Sequence, residues 1–188
     1  PGNVYEAYDY IALSIAAYEA STEVNSFTSK FDFARQGKAK LTKEEQKGFA
    51  LFMGKGKCNK CHIATGKMPL FTDFTYDNVG VPKNLDNPWY TMPPEFNPDG
   101  TYWVDEGLGG FLNSHLGYQD YASENMGKHK VPTLRNVDKR PDDGFVKAFG
   151  HNGYFKSLEE IVHFYNTRDT LGSCESNSQP EPGMNCWP

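Results

Sequence analysis

Cys58, Asn59, Lys60, Cys61 and His62 set two thiols three residues apart, with an imidazole directly after the second. C-x-x-C-H is the attachment signature of a c-type haem: one helical turn offers both sulfurs to the vinyl groups of a single porphyrin and brings the imidazole under the iron. A chain built on it can fold around a large flat ligand instead of relying on secondary structure alone. Two other readings compete. A structural zinc needs four N/S ligands, usually a second Cys or His pair, and Cys174 and Cys186 are distant and too widely spaced. A thioredoxin-like dithiol follows a strand and opens a helix, whereas a helix-like segment precedes Cys58.

The aperiodic middle of the chain agrees with a ligand-centred fold. From Met68 to about Gly127 no period of 3.6 or 2 is sustained, and aromatics, prolines and glycines abound. Such a stretch is foreign to an ordinary domain, but a porphyrin can be the core on which those loops condense. Helices are expected on either side. Val4, Tyr8, Ile11, Ile15 and Tyr18 recur at helical spacing over 4–20. Residues 21–40 read as a linker that docks Phe27, Phe31 and Phe33. Thr42 with Glu45 forms a capping box ahead of Phe49, Phe52 and Met53, which Gly54 and Gly56 terminate. Ser157 with Glu160 forms another, and Leu158, Ile161, Val162 and Tyr165 then share one face, expected to look inward.

The expected fold class is mainly α: a cytochrome c-like domain with long irregular loops wrapped around one covalently bound haem. Residues 1–40 are expected to be a helix and linker packing on the body, and 41–188 the haem domain with a C-terminal disulfide loop, within the size of one domain plus an appendage. Cys174 and Cys186 form an even pair in a stretch rich in Ser, Asn, Pro and Gly. A disulfide there would stabilise by roughly 3 kcal/mol; two free thiols are the alternative. Covalent haem with a disulfide favours an exported, periplasmic protein. A formal charge of −5 leaves no nucleic-acid footprint. No apolar run is long enough to cross a bilayer and no export signal stands at Pro1, so the chain reads as mature and soluble.

The segments "IAAYEAS", "LTKEEQKGFALFMGKGKCNKCH", "PLFTDFTYDNVGVPKN", "KVPTLRNVDKRP" and "GHNGYFKSLEEIVHFYN" together resemble the C-terminal haem half of the bacterial di-haem cytochrome c peroxidases and their MauG-type relatives. The resemblance covers nearly the whole chain. It implies a haem that relays electrons from a small donor protein towards a second haem domain, where peroxide is reduced or a protein substrate is oxidised. Two departures stand out. The peroxide-reducing half and its catalytic acid have no counterpart here, and family members usually continue past the position of Trp187 and Pro188. The family also holds calcium between its haems, but its "TAP"-like loop is replaced by "KRPDDG". Asp142 and Asp143 therefore read as solvated carboxylates, and calcium is not supported.

The sixth iron position separates a carrier from a catalyst. Tyr165 lies fourteen residues after His151, where the family places its distal ligand, Met in many peroxidases and Tyr in MauG; a buried, hydrogen-bonded tyrosine is the plain alternative. Met126 and Met184 are the thioether alternatives, and His115 or His129 would give bis-histidine ligation. His151 matches a family position close to the haem. Arg135, in the family's haem-edge loop, has a guanidinium fork suited to a propionate, with an ion pair as the alternative. Phe74, Val79, Leu134 and Phe149 are the expected apolar porphyrin contacts. Trp89, Trp103 and Tyr102 read as packing under loops.

The leading expectation is thus a periplasmic electron-transfer protein with one haem c on Cys58 and Cys61, His62 and Tyr165 as iron ligands, and redox proteins as partners. The alternative is a cytochrome c peroxidase or MauG-like oxidoreductase, with a second haem half outside this chain or an open haem site within it. Haem-based gas sensing is a third class, for which the sequence offers no partner.

Overall fold

The computed structural model describes residues 3–139, 142, 144–145, 147–171, 174 and 186–187. It is mainly helical, with few strands and long irregular loops, an architecture compatible with a cytochrome c-like domain. The contact pattern divides the chain into two compact units, Pro1–Phe74 with Val131–Lys139, and Thr75–Lys130 with Arg140–Pro188. That division does not fall at residue 40: the N-terminal segment shares a unit with the C-x-x-C-H.

In the first unit, α1 (Val4–Glu19) begins at Asn3, whose side chain accepts from the Tyr5 amide at 3.1 Å. The helix forms as its periodicity predicts. Its apolar face is not buried, however: Val4, Tyr8, Ile11, Ile15 and Tyr18 are all more than half exposed. A period of 3.6 shapes a face and says nothing about what covers it. A short helix, α2 (Lys30–Arg35), interrupts the expected linker, with Ser29 and Asp32 forming both arms of a capping box. Phe31 packs between Phe49 and Phe71 at 5.4 and 5.3 Å, so the linker does dock an aromatic; Phe33 stays exposed. The third helix, α3 (Lys43–Met53), starts at Thr42 with the Glu45 box complete and ends at Gly54.

The second unit is mostly turns. Strand β1 (Tyr76–Asp77) pairs antiparallel with β2 (His129–Lys130), Tyr76 opposite Lys130 and Asp77 opposite His129. Between them lies α4 (Gly107–Ser114), a helix invisible in a Gly-rich sequence of poor propensity. Its Gly109 admits the close approach of Met126: a Cβ there would sit 2.5 Å from the Met126 sulfur. The last helix, α5 (Leu158–Leu171), has its Ser157–Glu160 box.

The buried residue of α5 is Phe164, at 1% exposure, while Val162 and Tyr165 are 55% and 50% exposed. The inward stripe expected from the sequence is therefore rotated. Phe155 and Trp187 meet Phe164 at ring distances of 5.1 Å each, and burying three aromatics together outweighs the aliphatic stripe. Trp187 is fixed by its indole N–H donating to Thr167 Oγ1 at 3.0 Å and by its carbonyl accepting from the Cys174 amide at 2.6 Å. Cys186, next to it, is disulfide-bonded to Cys174.

Candidate haem site

Cys58–Lys60 forms one tight 3-10 turn. The Cys61 and His62 amides both donate to the Cys58 carbonyl, at 3.4 and 2.9 Å, so the two thiols and the imidazole lie on a single turn. Gly56 permits the entry to that turn, since a Cβ there would come 2.8 Å from the Leu51 carbonyl oxygen. Lys57 adopts φ +58°. Both cysteines are half-buried thiols, and burial pushes the Cys58 thiol above its ordinary pKa.

His62 supplies the strongest test of fit. Its Nδ1 lies 2.8 Å from the Phe71 carbonyl oxygen. A carbonyl only accepts, so in the neutral ring Nδ1 carries the proton and donates, which leaves the Nε2 lone pair for a metal. Iron-ligating histidines are held in this way, and the hydrogen bond also raises ligand basicity. Phe71 can reach because its backbone is left-handed at φ +55°, as is Phe74 at +62°. Bulky residues avoid that region, at a cost of roughly 1–3 kcal/mol each. Thr72 holds the segment in place: its buried hydroxyl donates to the Val131 carbonyl at 2.5 Å and accepts from the Phe74 amide at 2.9 Å. The donor set and the fixed tautomer fit a covalently held haem.

The remaining expected contacts are divided between the units. Phe74, Leu134 and Arg135 belong to the first, with Phe74 exposed and Leu134 half-buried. Arg135 makes the ion pair given above as its alternative. Its fork closes on Asp32, Nη1 to Oδ2 at 2.8 Å and Nη2 to Oδ1 at 2.7 Å, with both side chains 5% exposed. Its Nε–H donates to the Pro69 carbonyl at 3.0 Å, and Phe27 lies 4.0 Å beneath the guanidinium. Three of the five guanidinium N–H donors are thus committed to the fold. The guanidinium beside Asp32 holds that carboxyl down at about 2, against the opposing effect of burial and with help from Ser29. Sequence reasoning missed Asp32, although the Ser29-x-x-Asp32 capping pattern could have placed it.

Val79, Phe149 and Tyr165 lie in the second unit. Phe149 is buried and exchanges backbone hydrogen bonds with Phe155, at 2.8 and 3.3 Å; the Val79 carbonyl accepts from Arg168 Nη1 at 2.7 Å. Among the thioether alternatives, Met126 packs on Gly109, while Met184 lies outside the described residues. His115 stacks on Phe111 at 3.9 Å. His129 stacks on His151 at 3.6 Å and 9°, beside Asp105, at a cavity of about 320 Å³. One ligand atom from each of Asp105, His129 and His151 lies within 4.8 Å of the other two, a grouping that could hold a metal ion. Burial, then His129, lowers the His151 pKa from 6.5. Trp89 and Tyr90 both pack edge-on against Trp103 at 5.9 Å, whereas Tyr102 is largely exposed. Asp142 caps a turn by accepting from the Gly144 amide at 2.9 Å; Asp143 lies outside the described residues.

No protein-family profile matches the chain. Its curated relatives are informative. It is 33% identical over 181 residues to the methylamine utilization protein MauG of Paracoccus denitrificans, a match covering 94% of this chain and 42% of that protein. It is 30% identical to the cytochrome-c peroxidase IdrP1 of Denitromonas iodatirespirans, covering 81% of this chain and 39% of the relative. The cytochrome-c peroxidase IdrP2 of a Pseudomonas species is also 30% identical, covering 86% and 42%. These likenesses, which extend over most of this chain, support the di-haem cytochrome c peroxidase and MauG family for it. It spans about two-fifths of the length of these relatives. Haem c is the cofactor this kinship implies, and the C-x-x-C-H turn is the element fitted to hold it. No helix among the described residues is long and apolar enough to cross a membrane.

Proposed function

We propose that this chain forms the haem c-bearing part of a peroxidase-type oxidoreductase, a cytochrome c peroxidase or MauG-like enzyme acting on hydrogen peroxide with a second haem half outside these 188 residues. The observation that carries the reading is the His62 imidazole, locked by the Phe71 carbonyl with Nε2 free, inside a C-x-x-C-H turn. The names and coverage of the relatives support it, and favour an oxidoreductase over an isolated carrier. When bound, the haem supplies one-electron chemistry at iron. Cys58 and Cys61 tether the porphyrin, His62 binds the iron, and the Phe71 carbonyl orients and polarises His62.

Tyr165 is the proposed sixth ligand. Its support is its place in the sequence, fourteen residues after His151, in the position the family resemblance gives to the distal ligand. A periplasmic location and small redox proteins as partners follow from covalent haem, the disulfide and the kinship. A second reading, electron transfer alone, is favoured by the single C-x-x-C-H in the sequence.

Holoprotein purified from a host that attaches haem c should keep its colour on a denaturing gel. With its second haem half it should oxidise a reduced donor when peroxide is added. Covalent haem without peroxide turnover would leave the carrier reading, and a colourless chain would refute both.

A further inference from the structure

The formal charge of −5 conceals a strong asymmetry. Residues 30–67 hold ten Lys and Arg against three Asp and Glu, whereas the rest of the chain holds nine against twenty-one. Lys43, Lys47, Lys55, Lys57, Lys60 and Lys67 are all exposed. Among the described residues none of these six is ion-paired, in contrast to Lys30, which is held by Glu45 at 2.7 Å. Their placement follows the C-x-x-C-H. Lys57 precedes Cys58 and Lys60 lies between the two cysteines. Lys43 and Lys47 share one face of α3 at i, i+4, and α3 packs against the Cys58–Lys60 turn. Like charges at that spacing disfavour a helix slightly.

We propose that this lysine field is the docking surface for an acidic redox protein, which meets the chain at the edge where Cys58 and Cys61 tether the haem. The inference rests on the haem reading above. One electron passes between the partner's redox centre and the iron, one being oxidised as the other is reduced, with no group transferred. Charges this close to the entry point govern encounter, because a partner within a Debye length of about 8 Å responds to the local patch more than to distant acids.

The test oxidises the ferrous holoprotein with three probes: anionic hexacyanoferrate(III), a cationic tris-phenanthroline cobalt(III) complex, and an oxidised copper protein with an acidic face. Raising ionic strength from about 10 to about 300 mM should slow the anion and the copper protein by about tenfold and speed the cation. The variant K43E/K47E/K55E, whose substitutions lie outside the haem motif, should remove that dependence and leave the absorption spectrum unchanged. An anion that reacts faster as salt rises, as a net charge of −5 would dictate, overturns the proposal. So does a triple variant that keeps the wild-type dependence. Sedimentation with phosphatidylserine vesicles through the same lysines, with oxidation rates that ignore them, would assign the patch to a lipid surface and also overturn it. Failure to react with any probe at any salt would fall on the haem reading itself, and both would go.

Discussion

Replacing Asp32 with Asn should unmask how the chain is held around the haem turn. The carboxylate and the Arg135 fork meet at 2.7 and 2.8 Å with both side chains 5% exposed, and Asp32 titrates at about 2 where 3.8 is ordinary. That displacement alone is worth about 2.5 kcal/mol at neutral pH. Leaving the guanidinium buried without its counter-charge raises the expected cost of Asp32→Asn to about 3–5 kcal/mol. The pH dependence has a definite sign. A carboxyl depressed in the folded state contributes fully above its unfolded value of 3.8 and loses that contribution as pH falls through its folded value of about 2. The gap between wild type and variant should therefore narrow by about 2 kcal/mol between pH 6 and pH 2. Urea unfolding of both proteins by far-UV circular dichroism measures it, and the difference cancels other acids. A cycle with Arg135→Met isolates the pair from the Ser29 cap that Asp32 also serves. A gap below about 1 kcal/mol at pH 6, or one that does not narrow in acid, would refute the reasoning.

Tyr165→Phe should alter the optical and electron paramagnetic spectra of the ferric holoprotein if the phenolate binds iron; unaltered spectra would remove Tyr165 from the ligand set. Replacing Cys174 and Cys186 with Ser should lower the unfolding free energy by roughly 3 kcal/mol, measured by urea titration, and a change under about 0.5 kcal/mol would show that the bond does little to hold Trp187. His129→Gln should raise the His151 pKa, read from imidazole proton shifts, because burial and then His129 are what lower it. Since a depressed His withdraws stability as pH falls below its unfolded 6.5, the variant should also lose less stability between pH 7 and pH 5. A His151 titration indifferent to His129 would break that link.

What was legible from the residues was local. The Thr42 and Ser157 boxes marked the starts of α3 and α5 because a cap is satisfied within four residues. The Ser29 box at α2 is equally local, but a six-residue helix has no periodicity to announce it. Helix α4 is hidden for the opposite reason: its glycines argue against a helix, and contacts explain them, Met126 at Gly109 and the Lys128 carbonyl at Gly107. In α5 the stripe containing Tyr165 was plausible from spacing, yet Phe164 won the interior because Phe155 and Trp187 arrive from elsewhere in the chain.

On its own, the order of residues determined that two thiols and an imidazole would share one turn and that helices would begin at Thr42 and Ser157. Contacts between distant segments decided the rest. The fork of Arg135 went to Asp32, 103 residues away, and the proton of His62 went to the nitrogen facing the Phe71 carbonyl. A cap or a C-x-x-C-H is satisfied by neighbours, whereas a buried charge or an imidazole tautomer takes its state from whichever partner the folded chain brings within hydrogen-bond reach.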